Sequence, residues 1–466
     1  MTAQTILPAN SAASGGFSVD NSCRFNDDDA AYLHKTPSGA GNRQKFTLSC
    51  WLKKSSGGTE EILVAGAAAA SYTRIGFEAG DELKIFGVAS SSTAWEIQTV
   101  AKFRDFSAWY NFVFAFDTTQ GTASNRIKVY VNGVRVTPSS GFGDETYPDQ
   151  NYSTNINHTE KHRVGVQVND SGGAYDGYMS EVVLIDNAQL DATSFGEFDE
   201  DSGIWKPIDV SDLTFGTNGF YLDFEASGNL GNDANGGTDL TEVNIAAVDQ
   251  TTDTCTNNFA TLNPLFPEAN VAYTQGNTVA TADGSTNWSS TIPTVGLVSG
   301  KWYWEWTATS TNNVFVGIVS ETLVNSGALI SDDTPYDQNG LILYFAGRRK
   351  TVDGTNTESH FTTFGSGTMS AALDLDSGTR TIIMYHNGSQ TGDTIDLTSN
   401  FAAGEPVFPV FMVNAGSNPS IINVNFGNPS YANSSSAADG DGFGNFEFAP
   451  PSGYFAICTK NLAEYG

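Results

Sequence analysis

Residues 114–133 read FAFDTTQGTASNRIKVYVNG, and residues 371–388 read AALDLDSGTRTIIMYHNG. Both phrases run an apolar stretch into an Asp, place a Gly four positions later, and then run a second apolar stretch into Tyr-x-Asn-Gly. Ile127, Val129 and Val131 alternate with Arg126, Lys128 and Tyr130, which is the period of two of a half-buried strand. Asn-Gly supplies the two positive φ angles of a tight type I′ reversal. Each phrase therefore reads as strand, turn, strand, hairpin. Its appearance in both halves of the chain predicts two domains of like construction.

The flanking sequence has the same character. KFTLSCWLK (45–53) puts Phe46, Leu48 and Cys50 on one face, and WYNFVFAFD (109–117) does the same with Phe112, Phe114 and Phe116. EILVAG (61–66), TRIGFEA (73–79) and YDGYMSEVVLID (175–186) read as further strands. In the second half, KWYWEWTAT (301–309), NVFVGIVSE, LILYFAG, TMSAALDLD, TRTIIMYHNG and PVFPVFMVN follow one another. The 48 glycines and the near absence of long amphipathic helical windows agree with many short strands and tight turns. The expected fold is all-β, with two antiparallel jelly-roll sandwiches. The expected organisation is an N-terminal arm (1–16), a first sandwich (17–205), a sparsely patterned connector (206–258), a second sandwich (259–430) and a C-terminal tail (431–466).

A net charge of −30 disfavours nucleic acid and anionic membrane, since phosphate binding needs clustered Lys and Arg. No apolar run approaches a membrane span. Cys23, Cys50, Cys255 and Cys458 show no metal spacing and read as buried thiols. MTAQTILPANSAASGG lacks the basic and apolar regions of a signal peptide, so folding in a reducing cytoplasm is expected.

KFTLSCWLKKS, AWYNFVFAFDTTQG, RIKVYVNG and YDGYMSEVVLID, in that order, resemble the concanavalin A-like lectin/glucanase superfamily of the laminin-G type. Trp51, Trp109, Asp117, Asn132, Gly133, Gly177 and Glu181 stand at the family's signature places. GKWYWEWTA, FVGIVSE, AALDLDSG, IIMYHNG and FPVFMV resemble a SPRY domain, a related sandwich typically used to bind protein partners. With the joining phrases SCRFNDDDAAYLHKTPSGAGNRQKFTLS, GEFDEDSGIWKPID, TNNFATLNPL and PPSGYFAICTKNL, the chain resembles virion proteins of tailed bacteriophages. That resemblance implies a non-enzymatic tail fibre or related component on the virion, assembled in the host cytoplasm. Its implied partners are other virion proteins and a host-surface glycan or protein, and its implied state is a homo-oligomer, a trimer by preference. The alternatives are a capsid decoration or head fibre protein, and a polysaccharide hydrolase.

Several residues are candidates for chemistry. Glu197, Asp199 and Asp201 alternate as the acidic residues of concanavalin-like glucanases do, although the third is Asp and Ser-Gly follows at once, which reads as a solvated loop. Asp27, Asp28 and Asp29 offer hard oxygen ligands for calcium, or else a capped turn; Asp144, Glu145 and Asp149 are a weaker set. His158 and His162 lack a third zinc ligand. Trp302, Trp304 and Trp306 share a face, as a sugar platform or as core. Aromatics in polar surroundings (Trp95, Tyr147, Tyr152, Trp288 and Tyr336), together with Arg348 and Arg349, are the expected ligand contacts. The apolar residues of the tail, Tyr454, Phe455, Ile457 and Leu462, are expected either to meet another subunit or to fold back on their own sandwich.

Overall fold

The computed structural model describes residues 16–266, 270–282, 288–309, 314–327, 341–345, 349–352, 355–357, 366–414 and 420–466. Their regular structure is almost entirely β; the α-helices among them, Glu321–Ser326 and Thr459–Tyr465, are short. The chain divides into two compact units that meet in sequence between Thr256 and Asn257.

The first unit is a sandwich of two antiparallel sheets. Sheet I runs in the order Val134–Arg135, Ile127–Val131, Tyr110–Asp117, Lys45–Lys54, Gly177–Asp186, Ser22–Phe25, Gln250–Thr251, with Phe220–Leu222 also on Gly177–Asp186. Sheet II runs Phe142–Thr146, Ser92–Lys102, Glu82–Ala89, Ser71–Phe77, Glu60–Ala68, His162–Val164, Tyr32–Lys35, Thr241–Val243. The alternation read from sequence fixes the core. Phe46, Leu48, Cys50, Phe112, Phe114 and Phe116 from sheet I meet Leu63, Ile75, Phe77, Ile85 and Ile97 from sheet II.

The other face of sheet I is covered as well. Trp51, Trp109, Val113, Tyr178 and Val183 form a second apolar layer with Phe195, Trp205, Val210, Phe215 and Tyr221. The expectation of a connector at 206–258 is corrected here. Its strands of two or three residues pair with Gly177–Asp186, Tyr32–Lys35 and Ser22–Phe25, so residues 206–256 complete the first sandwich. Lys53, in sheet I, forms a buried ion pair of 2.7 Å with Asp253, which also accepts from Trp109 Nε1 at 3.0 Å.

The second unit pairs a larger sheet built on Lys301–Ala308, Met369–Asp374, Thr381–His386 and Ile421–Asn425 with one built on Val314–Ser320, Val407–Asn414 and Leu341–Phe345. Trp302, Trp304 and Trp306 are buried in its core beside Val316, Ile318, Phe411 and Val424. On the opposite face of that strand, Tyr303 packs against Phe446, Ala456 and Cys458. Buried Glu305 accepts from the backbone N–H groups of Glu447 and Phe448, each at 2.8 Å. Phe455–Ala456 adds a strand to the sheet. The tail thus folds back on its own sandwich, with Ile457 and Cys458 fully buried.

The repeated phrase is a repeated device. Asn132 and Gly133 (φ 45° and 78°) match Asn387 and Gly388 (φ 48° and 75°) at the two reversals. In each sandwich the Asp that ends the strand organises the next turn: Asp117 Oδ1 accepts from Thr119 N–H at 3.1 Å, and Asp374 Oδ1 from Ser377 N–H at 2.9 Å. Each Asp also faces a lysine that opens the adjacent strand, Lys45 at 3.3 Å and Lys301 at 2.7 Å.

Candidate functional site

The outer face of sheet I is covered by the chain's own segments, and the outer face of sheet II carries part-exposed side chains. In Ser71–Phe77, Ile75 and Phe77 point into the core, so Tyr72 and Arg74 point out. In Glu82–Ala89, Leu83 and Ile85 point in, so Lys84 and Phe86 point out. Register then sets Val64 beside Arg74 and Arg74 beside Phe86. A bulge between Glu61 and Leu63 brings Glu61 opposite Gly76. The absent side chain matters there, because a Cβ on Gly76 would lie 2.4 Å from the Glu60 carbonyl oxygen and 2.8 Å from Glu61 Oε2.

Around these residues lies a cavity of about 150 Å³, walled by Glu61, Arg74, Tyr72 and Phe86, with Thr59 and Gln167 at its polar margin and Val64 and Val168 below. Glu61 and Arg74 are only 1% and 4% exposed. Arg74 Nε donates to Glu61 Oε2 at 2.5 Å, one terminal nitrogen donates to Glu78 Oε1, and the other donates to the Phe77 carbonyl at 2.6 Å. Burial lifts the Glu61 carboxyl to about 7, although the Arg74 charge and hydrogen bond pull the other way. The Arg74 guanidinium lies 5.3 Å from the centre of the Phe86 ring, and Tyr72 meets that ring edge-on at 5.7 Å. Two part-exposed rings over a rigid buried ion pair make a preorganised, amphipathic surface.

Of the residues expected from sequence to contact a ligand, those in the first unit are engaged within it. Trp95 is corrected to a core residue: it is 1% exposed and packs edge-on against Phe116 and Tyr152. Tyr152 is half-buried on that ring, and Tyr147, also half-buried against the core, donates its hydroxyl to Glu145 at 2.8 Å. Trp288 lies in the second unit with its ring 4.3 Å from Phe315. Tyr336 and Arg348 lie outside the described residues; Arg349 opens the strand Arg349–Val352.

Asp27, Asp28 and Asp29 form a tight turn in which Ala30 N–H donates to the Asp27 carbonyl at 3.0 Å, while Asp29 Oδ2 accepts from Asn26 Nδ2 at 2.7 Å. Among the described residues no group of three His, Cys, Asp or Glu side chains is arranged to hold a metal, so the calcium expectation finds no constellation there. His162 is buried, with its ring nitrogens at 2.9 Å from the Asn157 amide and 2.8 Å from the Glu160 carbonyl, and burial lowers its pKa to about 4. Asp199 accepts from the Ser202 amide and hydroxyl, and both it and Glu197 close on Lys206, at 3.3 and 3.4 Å. The Ser202 amide, then its hydroxyl and Lys206, hold the Asp199 carboxyl below its ordinary range. The four cysteines are buried free thiols.

The fold places the first unit among the concanavalin A-like sandwiches. Residues 26–192 match the laminin G family model of the concanavalin A-like lectin/glucanases superfamily. No curated protein matches the chain. Similar solved structures include stonustoxin (18% identity, TM-score 0.28, 36% of this chain and 27% of that one). The TRIM65 PSpry domain is similar at 16% identity (TM-score 0.27, 36% of this chain and 88% of that one). A Bacteroides ovatus protein described as carbohydrate binding is similar at 14% identity (TM-score 0.34, 51% and 60%). The chain thus spans about a quarter of the length of stonustoxin and most of the SPRY domain.

Proposed function

We propose that this chain is a non-enzymatic recognition protein of a bacteriophage virion, a tail fibre or related surface component, which binds a host-surface glycan through the outer face of sheet II. The observation that carries the binding reading is the cavity in which Tyr72 and Phe86 flank the buried Glu61–Arg74 pair. Sugar rings present apolar C–H faces to aromatic side chains and hydroxyl edges to polar ones, and this cavity offers both. The phage setting is supported by the order of the sequence phrases across both units and their joining segments. A single shallow pocket yields modest affinity, so several copies are expected on one particle, with a trimer preferred. Catalysis is not part of the reading: the alternating acids Glu197 and Asp199 are engaged with Lys206 in a turn.

The test uses the purified full chain against immobilised host lipopolysaccharide, capsule and cell-wall glycans, with binding followed by interferometry and sugar release followed by a reducing-end assay. The expected result is binding without release, weakened at least tenfold in Tyr72→Ala/Phe86→Ala. Binding indifferent to that double substitution, or release of reducing ends, overturns the reading.

A further inference from the structure

We infer that the pocket selects an uncharged pyranose and rejects acidic sugars, a conclusion that rests on the glycan-binding reading and narrows it. Arg74 in the cavity wall, and Lys84 beside the Phe86 ring, already have carboxylate or carbonyl partners. Arg74 is bound on all three of its nitrogens, by Glu61, Glu78 and the Phe77 carbonyl. Lys84, whose ammonium sits 5.6 Å from the centre of the Phe86 ring, is held 2.9 Å from Glu96 Oε2. Glu61, Glu78 and Glu96 offset the two cations, so these five groups carry no net positive charge even with Glu61, raised to about 7, partly protonated. A uronate, sialate or sugar sulfate brought there would find no net positive charge to attract it and would compete with those carboxylates for the N–H groups of Arg74 and Lys84. At the buried Glu61–Arg74 pair, breaking the contact strands a charge at large cost.

The remaining chemistry suits a neutral ring. Tyr72 and Phe86 provide half-exposed aromatic surface. Gln167 is fixed at the margin, because its side chain bonds Glu61 and its backbone closes a turn with Gly172 and Asp170. The segment after it is tied to the same wall, since the Glu61 N–H donates to the Gly173 carbonyl at 3.0 Å.

Saturation-transfer NMR and calorimetry on the full chain test this with matched probes: methyl glucoside, galactoside and mannoside against the corresponding methyl uronates. At least one neutral glycoside is expected to bind, its uronate at least tenfold more weakly, and the neutral signal is expected to vanish in Phe86→Ala. Gln167→Ala, a marginal and half-buried position, provides a second variant should Phe86→Ala melt early. Glu78→Gln with Glu96→Gln, which remove the negative charges paired with Arg74 and Lys84, are expected to raise uronate binding towards that of the neutral partner. A uronate that binds as well as its neutral partner, with both lost in Phe86→Ala, overturns the charge selection and leaves glycan binding standing. Silence from both series overturns both.

Discussion

Cutting the chain at residue 205 is expected to destroy the first sandwich, whereas cutting it at 256 is expected to preserve it. Residues 206–256 contribute Val210, Phe215, Phe220, Tyr221, Leu222, Phe224, Leu230, Leu240 and Ile245 to buried positions. At about 1.5–3 kcal/mol per fully buried side chain, their loss removes roughly 15–25 kcal/mol of apolar burial. The whole stability of a domain is only about 5–15 kcal/mol. The cut also takes Asp253 from Lys53 and Asp249 from Arg24, at sites where both cations are buried. Removing one partner of a buried pair costs about 3–5 kcal/mol. The two fragments, 16–205 and 16–256, can be compared by near-ultraviolet circular dichroism, dye binding and thermal melts. The longer one should melt cooperatively, while the shorter should be aggregated or should lack fixed tertiary signals. A cooperative melt of fragment 16–205 within a few degrees of its longer partner would refute the reasoning, because the segment would then be an ornament on a complete core.

Fragment 16–256 should also grow more stable on mild acidification. Burial raises Glu61 and Asp176 to about 7 and Glu181 to about 8, so the stability these groups contribute is fully present below their unfolded values near 4 and is lost as pH rises through 7 to 8. The melting temperature should therefore fall from pH 5.5 to 8.5, with a shallower slope in Glu181→Gln; a rising profile would contradict the assignment. Ending the chain at Gly440 should unfold the second sandwich, since Phe446, Ala456, Ile457 and Cys458 are buried in it and Glu305 loses two amide donors. Calorimetry that still shows the full second transition at its original temperature would refute that.

The two hairpin phrases were legible because their information is local. Alternation sets which side chains face inward, and Asn-Gly sets where the chain reverses; both hold whatever the rest of the molecule does. The same logic correctly placed Phe46, Phe112, Phe114 and Phe116 in one core. The ligand surface was not legible. Arg74 in TRIGFEA looks like any outward charge on a strand, and Glu61 is one of two adjacent acids. Their meeting, 13 residues apart, depends on hairpin register, on a bulge and on a distant loop that lays Gly173 against Glu61. Trp95 misled for the converse reason. Its neighbours Thr93, Ala94 and Glu96 read as polar loop, yet alternation on a strand turns the indole inward against Phe116.

By itself, then, the sequence determined that the chain is all-β and that its halves share a hairpin device. Only the tertiary structure decided where the first sandwich ends and what covers its outer sheet. The residues that answer those questions lie in loops and in strands two or three residues long, too short to show a period. Their conformation is selected by the sheet edges and apolar faces they complete, and some of those partners come from sequence more than 230 residues away, as between Ser22 and the carbonyl of Asp253 (231 residues).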